Sequence, residues 1–378
     1  MRDNRAGTFI DSQIGYSYFS PKKLPPDPPI EYDSEMINLL SIADRKLGRL
    51  DGITQILPNP ELFVAMYVRK EAVLSSQIEG TQASLSDVLN REVKPEKREE
   101  VNDVVNYVNA MNYGLQRLKD FPLSLRLIRE IHAELLRNGR GSTRNPGEFR
   151  KTQNWIGPAN CTLNEATFVP PTVPVMNEAL GDLEIYLHKE SDIPALIKIA
   201  LVHAQFESIH PFLDGNGRMG RLLITFWLCQ QGILSQPLLY LSYYFKKYRL
   251  DYYDYLMDVR NRGNWESWIK FFLKGVSLVS DEATNAAKDI MALKSKYEKL
   301  LSGSNTNSLK LLDILFEFPY VDKNMIAAEL SIAAPTAGKL VTEFCNYGIL
   351  ADVSPSKQRY KQYAFKEYLD ILNRGTEI

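Results

Sequence analysis

The sequence predicts a mainly α-helical protein, and three observations predict it. Apolar residues recur every three and four positions from about residue 34 to residue 300, with turn residues between the segments. Hydrophobic residues make up 44 % and charged residues 24 % of the 378, the balance of a chain that buries a core. The helical pattern gives way at only two places before residue 300, the first 33 residues and the segment 138–175.

Pro21, Pro25, Pro26, Pro28 and Pro29, set around Lys22 and Lys23, predict an extended arm for the first 33 residues. Helices are expected at about 34–48, 61–79, 84–90, 98–118 and 124–137. From Asn138 to Val175 a run of Gly and Pro residues breaks the pattern, and Thr167–Val169 is β-like, so this stretch reads as a long functional loop or small β-hairpin. Helices resume at about 176–188 and 194–209, the second with Asp192 as N-cap and Pro194 in its first turn, where a missing N–H costs nothing. The next, at about 216–231, stops at Gly232, and more follow to about residue 300. Ser302–Ser308 reads as a linker. Beyond it come a helix, an Asp322-capped helix, a turn at Ser331–Ala334, a helix to about Tyr347 and two strand-like runs around Ser354–Lys357. That order resembles a winged helix-turn-helix module with its wing tip at Ser354–Lys357. The expected divisions are therefore 1–97, 98–275, 276–307 and 308–378.

With 45 Lys+Arg against 46 Asp+Glu, the net charge of −1 supplies no global field toward nucleic acid or membrane. Cys161, Cys229 and Cys345 are odd in number and lack C-x-x-C spacing, which argues against a disulfide framework or cysteine-built zinc site and for a reducing compartment. The polar start Met1–Arg5 leads into no apolar run, and stretches such as Leu222–Phe226 fall far short of the ~20 residues of a spanning helix. A cytoplasmic protein without a membrane partner is the expectation.

Chemistry concentrates in His210-Pro211-Phe212-Leu213-Asp214-Gly215-Asn216-Gly217-Arg218-Met219-Gly220-Arg221, between two expected helices. Gly215 and Gly217 can take positive φ, so that successive N–H groups converge beside the positive end of the next helix, an anion cradle. Arg218 and Arg221, three apart, add two forks for phosphate oxygens. Asp214 can hold magnesium against those phosphates, and His210 can accept a proton from an attacking hydroxyl. Gly215-x-Gly217-x-x-Gly220 also matches the dinucleotide fingerprint formally, but a helix precedes it and no acid follows at the required distance. A triphosphatase phosphate loop fails because Arg221 stands where Lys-Ser/Thr is needed.

The string matches the Fic family signature His-x-Phe-x-Asp/Glu-Gly-Asn-Gly-Arg-x-x-Arg at every specified position. The resemblance implies a Fic-type helical core with a β-hairpin flap, and transfer of AMP from ATP to a Ser, Thr or Tyr hydroxyl of a protein with release of pyrophosphate. It implies His210 as general base and Asp214 as ligand of Mg2+ or Mn2+. Gly215, Asn216, Gly217, Arg218, Met219, Gly220 and Arg221 would form the ATP and phosphate site, with Phe212 a buried anchor. Arg150–Gly157 and Phe168–Pro171 resemble the family's strand and flap, which makes Thr167, Phe168 and Val169 the residues that align a target peptide.

Ser75-Ser76-Gln77-Ile78-Glu79-Gly80 resembles the family's inhibitory motif Ser/Thr-x-x-x-Glu-Gly/Asn. An acid in the last turn of a helix faces the unfavourable dipole end and wants a cation. The resemblance names Arg221, whose pairing with Glu79 would hold ATP unproductively, with Ser75 part of the same motif; AMP removal assisted by Glu79 is a further family activity. Tyr252, Tyr253 and Asn261 resemble segments that close over adenine and ribose, although aromatics at this spacing also serve as core. His203 and Glu207 read as core residues without a metal-binding string, and His132 and His188 as structural or solvated.

Residues 303–378 hold eight Lys+Arg and nine Asp+Glu, a balance of −1, and Lys357, Arg359 and Lys361 make only a modest basic wing. A protein contact is favoured there over DNA. The alternative for the whole chain is a nucleotide-responsive DNA-binding regulator, and Fic-fold relatives that transfer UMP, phosphocholine or phosphate form a third class. The partners expected are ATP, a target protein that includes the chain itself, and a second copy in a homodimer.

Overall fold

A computed structural model describes residues 2–13, 15–55, 60–89, 97–158, 160–354, 361–374 and 376. The expected mainly helical fold is what the chain adopts. Two small three-stranded sheets accompany the helices.

The first departure from expectation is at the start. Residues 2–21 form an antiparallel sheet of β1 (Arg2–Asp3), β2 (Gly7–Asp11) and β3 (Ser17–Pro21) in that order, where an extended arm was expected. Thr8, Phe9 and Ile10 pair with Ser20, Phe19 and Tyr18, residue types that suit a pleated surface, and the prolines lie only at and after the end of β3. Phe19 is buried, with its ring 5.1 Å from Phe9 and 5.9 Å from Phe168.

Helix α1 (Ser34–Thr54) starts at Asp33, whose carboxylate accepts from Met36 N–H. Then come α2 (Pro60–Ile78), α3 (Leu85–Leu89), α4 (Arg98–Arg117) and α5 (Leu125–Leu135), within two residues of expectation except at the far end of α1. Residue 90, the expected end of α3, lies outside the described residues. After the loop, α6 (Val173–His188) and α7 (Ala195–Ile209) follow. Asp192 does not cap α7: the cap position is Pro194, with no side-chain bond to the helix. Every residue of α7 from Leu196 to Ile209 is buried, as expected of a helix apolar all round at the centre of a core. It packs against α8 (Asn216–Gln230), α6, and α11 (Trp265–Leu300). The short α9 (Ser242–Lys247) and α10 (Arg249–Arg262) lead into α11.

The 36-residue α11 runs without a break through residue 275 and packs extensively against α1. Lys270 bonds Asp33 at 2.5 Å and Lys274 bonds Glu35 at 3.1 Å. The linker is shorter than expected because Asn305 caps α12 (Thr306–Glu317) by accepting from Ser308 N–H.

The last segment holds α12, β4 (Tyr320–Asp322), α13 (Lys323–Leu330), α14 (Ala334–Asn346), β5 (Ala351–Asp352), β6 (Gln362–Ala364) and α15 (Lys366–Asn373), with strand order β4-β6-β5. Asp322 caps α13 as expected, and Ser331 takes the left-handed conformation that ends it. Residues 355–360, with most of the expected wing tip and the basic Lys357 and Arg359, lie outside the described residues. This segment also touches α2: Lys70 donates to the Arg374 carbonyl at 2.6 Å. Among the described residues no helix is long and apolar enough to cross a membrane.

Candidate functional site

The site is built where α7 ends and α8 begins. His210 is the C-cap of α7, in the left-handed region at φ 49°, with its N–H on Phe206 O at 2.9 Å. A non-glycine residue holds that conformation only when its surroundings impose it. Arg150, fully buried, supplies the constraint: its Nε donates to His210 O at 3.1 Å, its Nη2 to Pro171 O, and its backbone N–H to Pro211 O. Asn154 Nδ2 donates to the carbonyls of His210 and Phe212. The backbone from which the His210 ring projects is thereby fixed, and its Nδ1 is a buried atom without a partner. Burial, with the charges of Arg260 and Arg150, pushes the ring down to about 3 against a weaker pull from Glu79. It is a neutral imidazole throughout the neutral pH range, the form a general base needs.

Gly215 caps α8 at φ 78°, as a left-handed cap requires. Gly217 does not share that conformation: it is inside the first turn of α8, and its role is close approach. A Cβ there would lie 2.3 Å from Glu79 Oε1 and 3.0 Å from Arg221 Nη1. Asn216 is buried and clasps the loop, accepting from Phe212 N–H and donating to Phe212 O, both at 2.8 Å. The backbone amides of the first turn of α8 are left for an anion. Arg218 is buried beside them with Nε unpartnered, and its Nη2 lies 3.7 Å from Asp214 Oδ1. An orphaned guanidinium nitrogen at a helix N-terminus fits phosphate. Met219 is core, fully buried.

Gly220 makes room for a neighbour. A methyl there would lie 2.4 Å from Glu207 Oε1, a buried oxygen with no partner. Gly220→Ala is expected to cost about 1–3 kcal/mol in chemical denaturation, because the buried Glu207 carboxylate must shift to make room for the methyl.

Arg221 is fully engaged by the end of α2. Its Nε donates to Ser75 Oγ at 2.8 Å, and its Nη2 to Ser75 O at 3.0 Å and Glu79 Oε1 at 2.7 Å. Gly80, at φ 92°, ends the helix behind Glu79. Burial would raise the Glu79 carboxyl, but the charge and hydrogen bond of Arg221, with Arg218 beyond, outweigh it and hold the acid below its usual range. The pair joins residues 142 positions apart in the chain.

Asp214 has a half-exposed side chain; Oδ1 accepts from Gly215 N–H at 2.6 Å, and Oδ2 lies toward Gly141. No group of three or more His, Cys, Asp or Glu able to hold a metal occurs among the described residues. One carboxylate beside a phosphate cradle is nevertheless the donor set that magnesium uses when substrate phosphates complete its shell.

The flap is a single antiparallel bridge, Ile156 to Phe168, with N–H···O distances of 2.8 and 3.0 Å. The next carbonyl, Val169 O, already accepts from Phe19 N–H of β3 at 2.9 Å. Thr167, beside them, is exposed. Arg260, whose guanidinium lies 4.0 Å above the Phe168 ring, ties α10 to the last turn of α7 through Glu207 O and Ser208 Oγ. Its place beside Asn261 in the chain is the signal that the sequence offered for it. Tyr252 lies in the core, stacked on Phe245 at 4.5 Å with its hydroxyl donating to His203 Nε2; Tyr253 is partly open to solvent and Asn261 exposed.

Five buried groups shape the acid side of stability. Burial pushes His203 and His210 down to about 3 and His132 to about 4, so the folded chain refuses protons that the unfolded chain takes below 6.5. Burial pushes Glu71 and Glu207 up to about 7, so the folded chain keeps protons that the unfolded chain releases above 4.5. Between pH 6.5 and 4.5 the unfolded state holds about one proton more, and these groups lower stability by roughly 1.4 kcal/mol per pH unit as acid is added. Below 4.5 the unfolded carboxyls also fill and the slope steepens. Denaturation at pH 7, 5.5 and 4 should show a larger loss over the second interval than over the first.

Comparison with known proteins gives the same picture from outside. Residues 37–116 match the family described as Fic/DOC family N-terminal, and residues 122–228 the Fic/DOC family. The first region contains Glu79 and the second the whole string from His210 to Arg221. A protein adenylyltransferase Fic of Aedes aegypti is 32 % identical over 178 residues, 46 % of this chain and 32 % of that protein. A probable protein adenylyltransferase of Aquifex aeolicus is 26 % identical over 177 residues, 46 % of this chain and 52 % of that one. The chain thus spans between a third and about half of the length of these curated relatives. A crystal structure of a Fic family protein from Desulfovibrio desulfuricans superimposes with a TM-score of 0.57 at 18 % identity, covering 89 % of this chain and 97 % of that one. A Fic domain containing signaling protein from Bacteroides thetaiotaomicron gives 0.51 at 18 % identity, covering 68 % and 97 %. Both likenesses speak to the fold alone.

Proposed function

We propose that this chain, a Fic/DOC family protein of the Fic fold and a distant relative of protein adenylyltransferases, is a nucleotidyltransferase that moves AMP from ATP to a hydroxyl of a protein. The observation that carries the reading is the junction of α7 and α8: a neutral, conformationally imposed histidine beside a helix N-terminus and the unpartnered Nε of Arg218. In the proposed step the target hydroxyl oxygen bonds to the α-phosphorus while the bond from that phosphorus to the bridging oxygen of the β-phosphate breaks. His210 takes the hydroxyl proton, the amides of the first turn of α8 stabilise charge on the α-phosphate, and pyrophosphate leaves toward Arg218 and Arg221. Asp214 would hold the magnesium ion, which when bound neutralises phosphate charge.

Glu79 is proposed as the inhibitory residue. While it bonds Arg221, that guanidinium is unavailable to the outermost phosphate. The flap would align the target, the segment after residue 308 would act as a winged-helix protein-contact module, and a second copy would be a partner. The test is to incubate wild type, Glu79→Gly and His210→Ala with Mg2+ and ATP and weigh each intact protein. A gain of one or more AMP units by Glu79→Gly but not by His210→Ala supports the reading. No gain by any variant, alone or with lysate proteins as acceptors, overturns it.

A further inference from the structure

His132 lies on α5, 82 residues before the Asp214 carbonyl that it meets, and is completely buried. Its ring stacks on Phe212 at 3.6 Å between centroids and 5° between planes. Gly147 N–H donates to its Nδ1 at 2.9 Å, which fixes the tautomer: the ring proton is on Nε2. That Nε2–H donates to Asp214 O at 2.9 Å.

A trans peptide unit is planar, and its C=O and N–H point in opposite directions. With the Asp214 carbonyl pinned on His132, the N–H of Gly215 in the same plane must point away from the ring. There it meets the carboxylate of Asp214 itself, donating to Oδ1 at 2.6 Å. Oδ2 is left on the side of Gly141. The contact leaves little slack, since a Cβ on Gly215 would lie 3.3 Å from His132 Nε2.

We infer that His132 is a positioning residue: through the single peptide plane between Asp214 and Gly215 it sets the direction of the Asp214 carboxylate. The inference rests on the proposed nucleotide reading for its consequence, but not for its geometry.

Two substitutions separate the bonds. A glutamine amide nitrogen sits near the Nε2 position of histidine and an asparagine amide near the Nδ1 position. His132→Gln therefore keeps a donor for Asp214 O, whereas His132→Asn keeps only a partner for Gly147. Both lose the ring stacked on Phe212, and asparagine leaves the larger gap by one methylene, a packing loss that would weaken ADP binding equally with and without Mg2+. The first measurement is amide hydrogen exchange over residues 212–217 in the free full-length protein. Exchange is expected to speed up about tenfold in His132→Asn and to stay within about threefold of wild type in His132→Gln, the loss and retention of one hydrogen bond. The second is calorimetric binding of ADP with and without Mg2+ in both variants. His132→Asn should lose about tenfold of the Mg2+-dependent gain in ADP affinity, with Mg2+-free ADP affinity nearly unchanged, and His132→Gln should keep the gain. Equal exchange in the two variants, or an equal fall of ADP affinity with and without Mg2+, overturns the positioning role. Should wild type bind no ADP, the nucleotide reading fails, while exchange alone still decides whether His132 holds the peptide.

Discussion

Replacing His210 by alanine is expected to lower AMP transfer about 10³-fold when measured in the Glu79→Gly background with saturating Mg–ATP. General bases contribute about 10²–10⁴-fold, and opposing features put His210 near the middle of that range. Burial and two nearby guanidinium groups keep the ring neutral at pH 7, which makes the whole population available but lowers its basicity. Arg150 and Asn154 fix its carbonyl, so little entropy is lost in aiming the ring. The nearest other carboxylate on the same helix, Glu207, turns its buried Oε1 against Gly220 and offers no substitute. Single-turnover incorporation of labelled AMP reads the effect, and a melting curve close to that of the parent shows that the fold is kept. A residual rate within tenfold of the parent would remove His210 from the role of base.

The second large effect runs in the opposite direction. Glu79→Gly is expected to raise AMP transfer about 10–100-fold, because it frees one charge-assisted hydrogen bond to Arg221, worth roughly 1.5–3 kcal/mol in a site that is partly open to solvent. Ser75 would still hold Arg221 through Nε and Nη2, so the guanidinium stays beside the cradle instead of collapsing elsewhere. The gain should come through ATP alone. ADP, which lacks the outermost phosphate that competes with Glu79, should bind wild type and variant with affinities within about threefold of each other. Calorimetry with each nucleotide beside the transfer assay checks this, and an unchanged rate would dispose of Glu79 as an inhibitor.

Most of the helical fold was legible because its signals are local. Apolar spacing placed α2, α4, α5, α6, α7 and α8, and Asp322 announced its helix by capping chemistry. The N-terminal sheet escaped because five prolines suggested a wholly extended arm, while the pairing partners, Phe9 with Phe19 and Thr8 with Ser20, become visible only once a hairpin is assumed. Reactive residues crowded into twelve positions marked His210, Asp214, Arg218 and Arg221 as candidates from residue chemistry alone, and the fold gathers them at the junction of α7 and α8. The contact of Glu79 with Arg221 was not readable in that way, since nothing in the spacing of two residues so far apart brings them together; only the family resemblance suggested it. Gly217 was assigned to backbone freedom, yet its neighbours show that what matters there is the missing methyl. His132 gave no signal because both its partners are backbone groups, Gly147 N–H and Asp214 O, and a backbone partner leaves no trace in residue identity.

The bond from Phe19 to Val169 makes the two edges of the flap unequal. One edge is stitched to β3, and the sheet that holds β3 is moored through its β1–β2 turn to the far end of α10, where Asn4 donates to Arg260 O and Arg5 to Gly263 O. The hairpin is therefore a bracket bolted along one side. On the proposed reading, a target strand lying along the other side would be registered against β1–β3 as well as against the hairpin. Exchanging β1–β3 between relatives with otherwise identical sites is then expected to shift which hydroxyl of a bound chain comes to rest beside His210, and so to alter the choice of target without touching a reactive group.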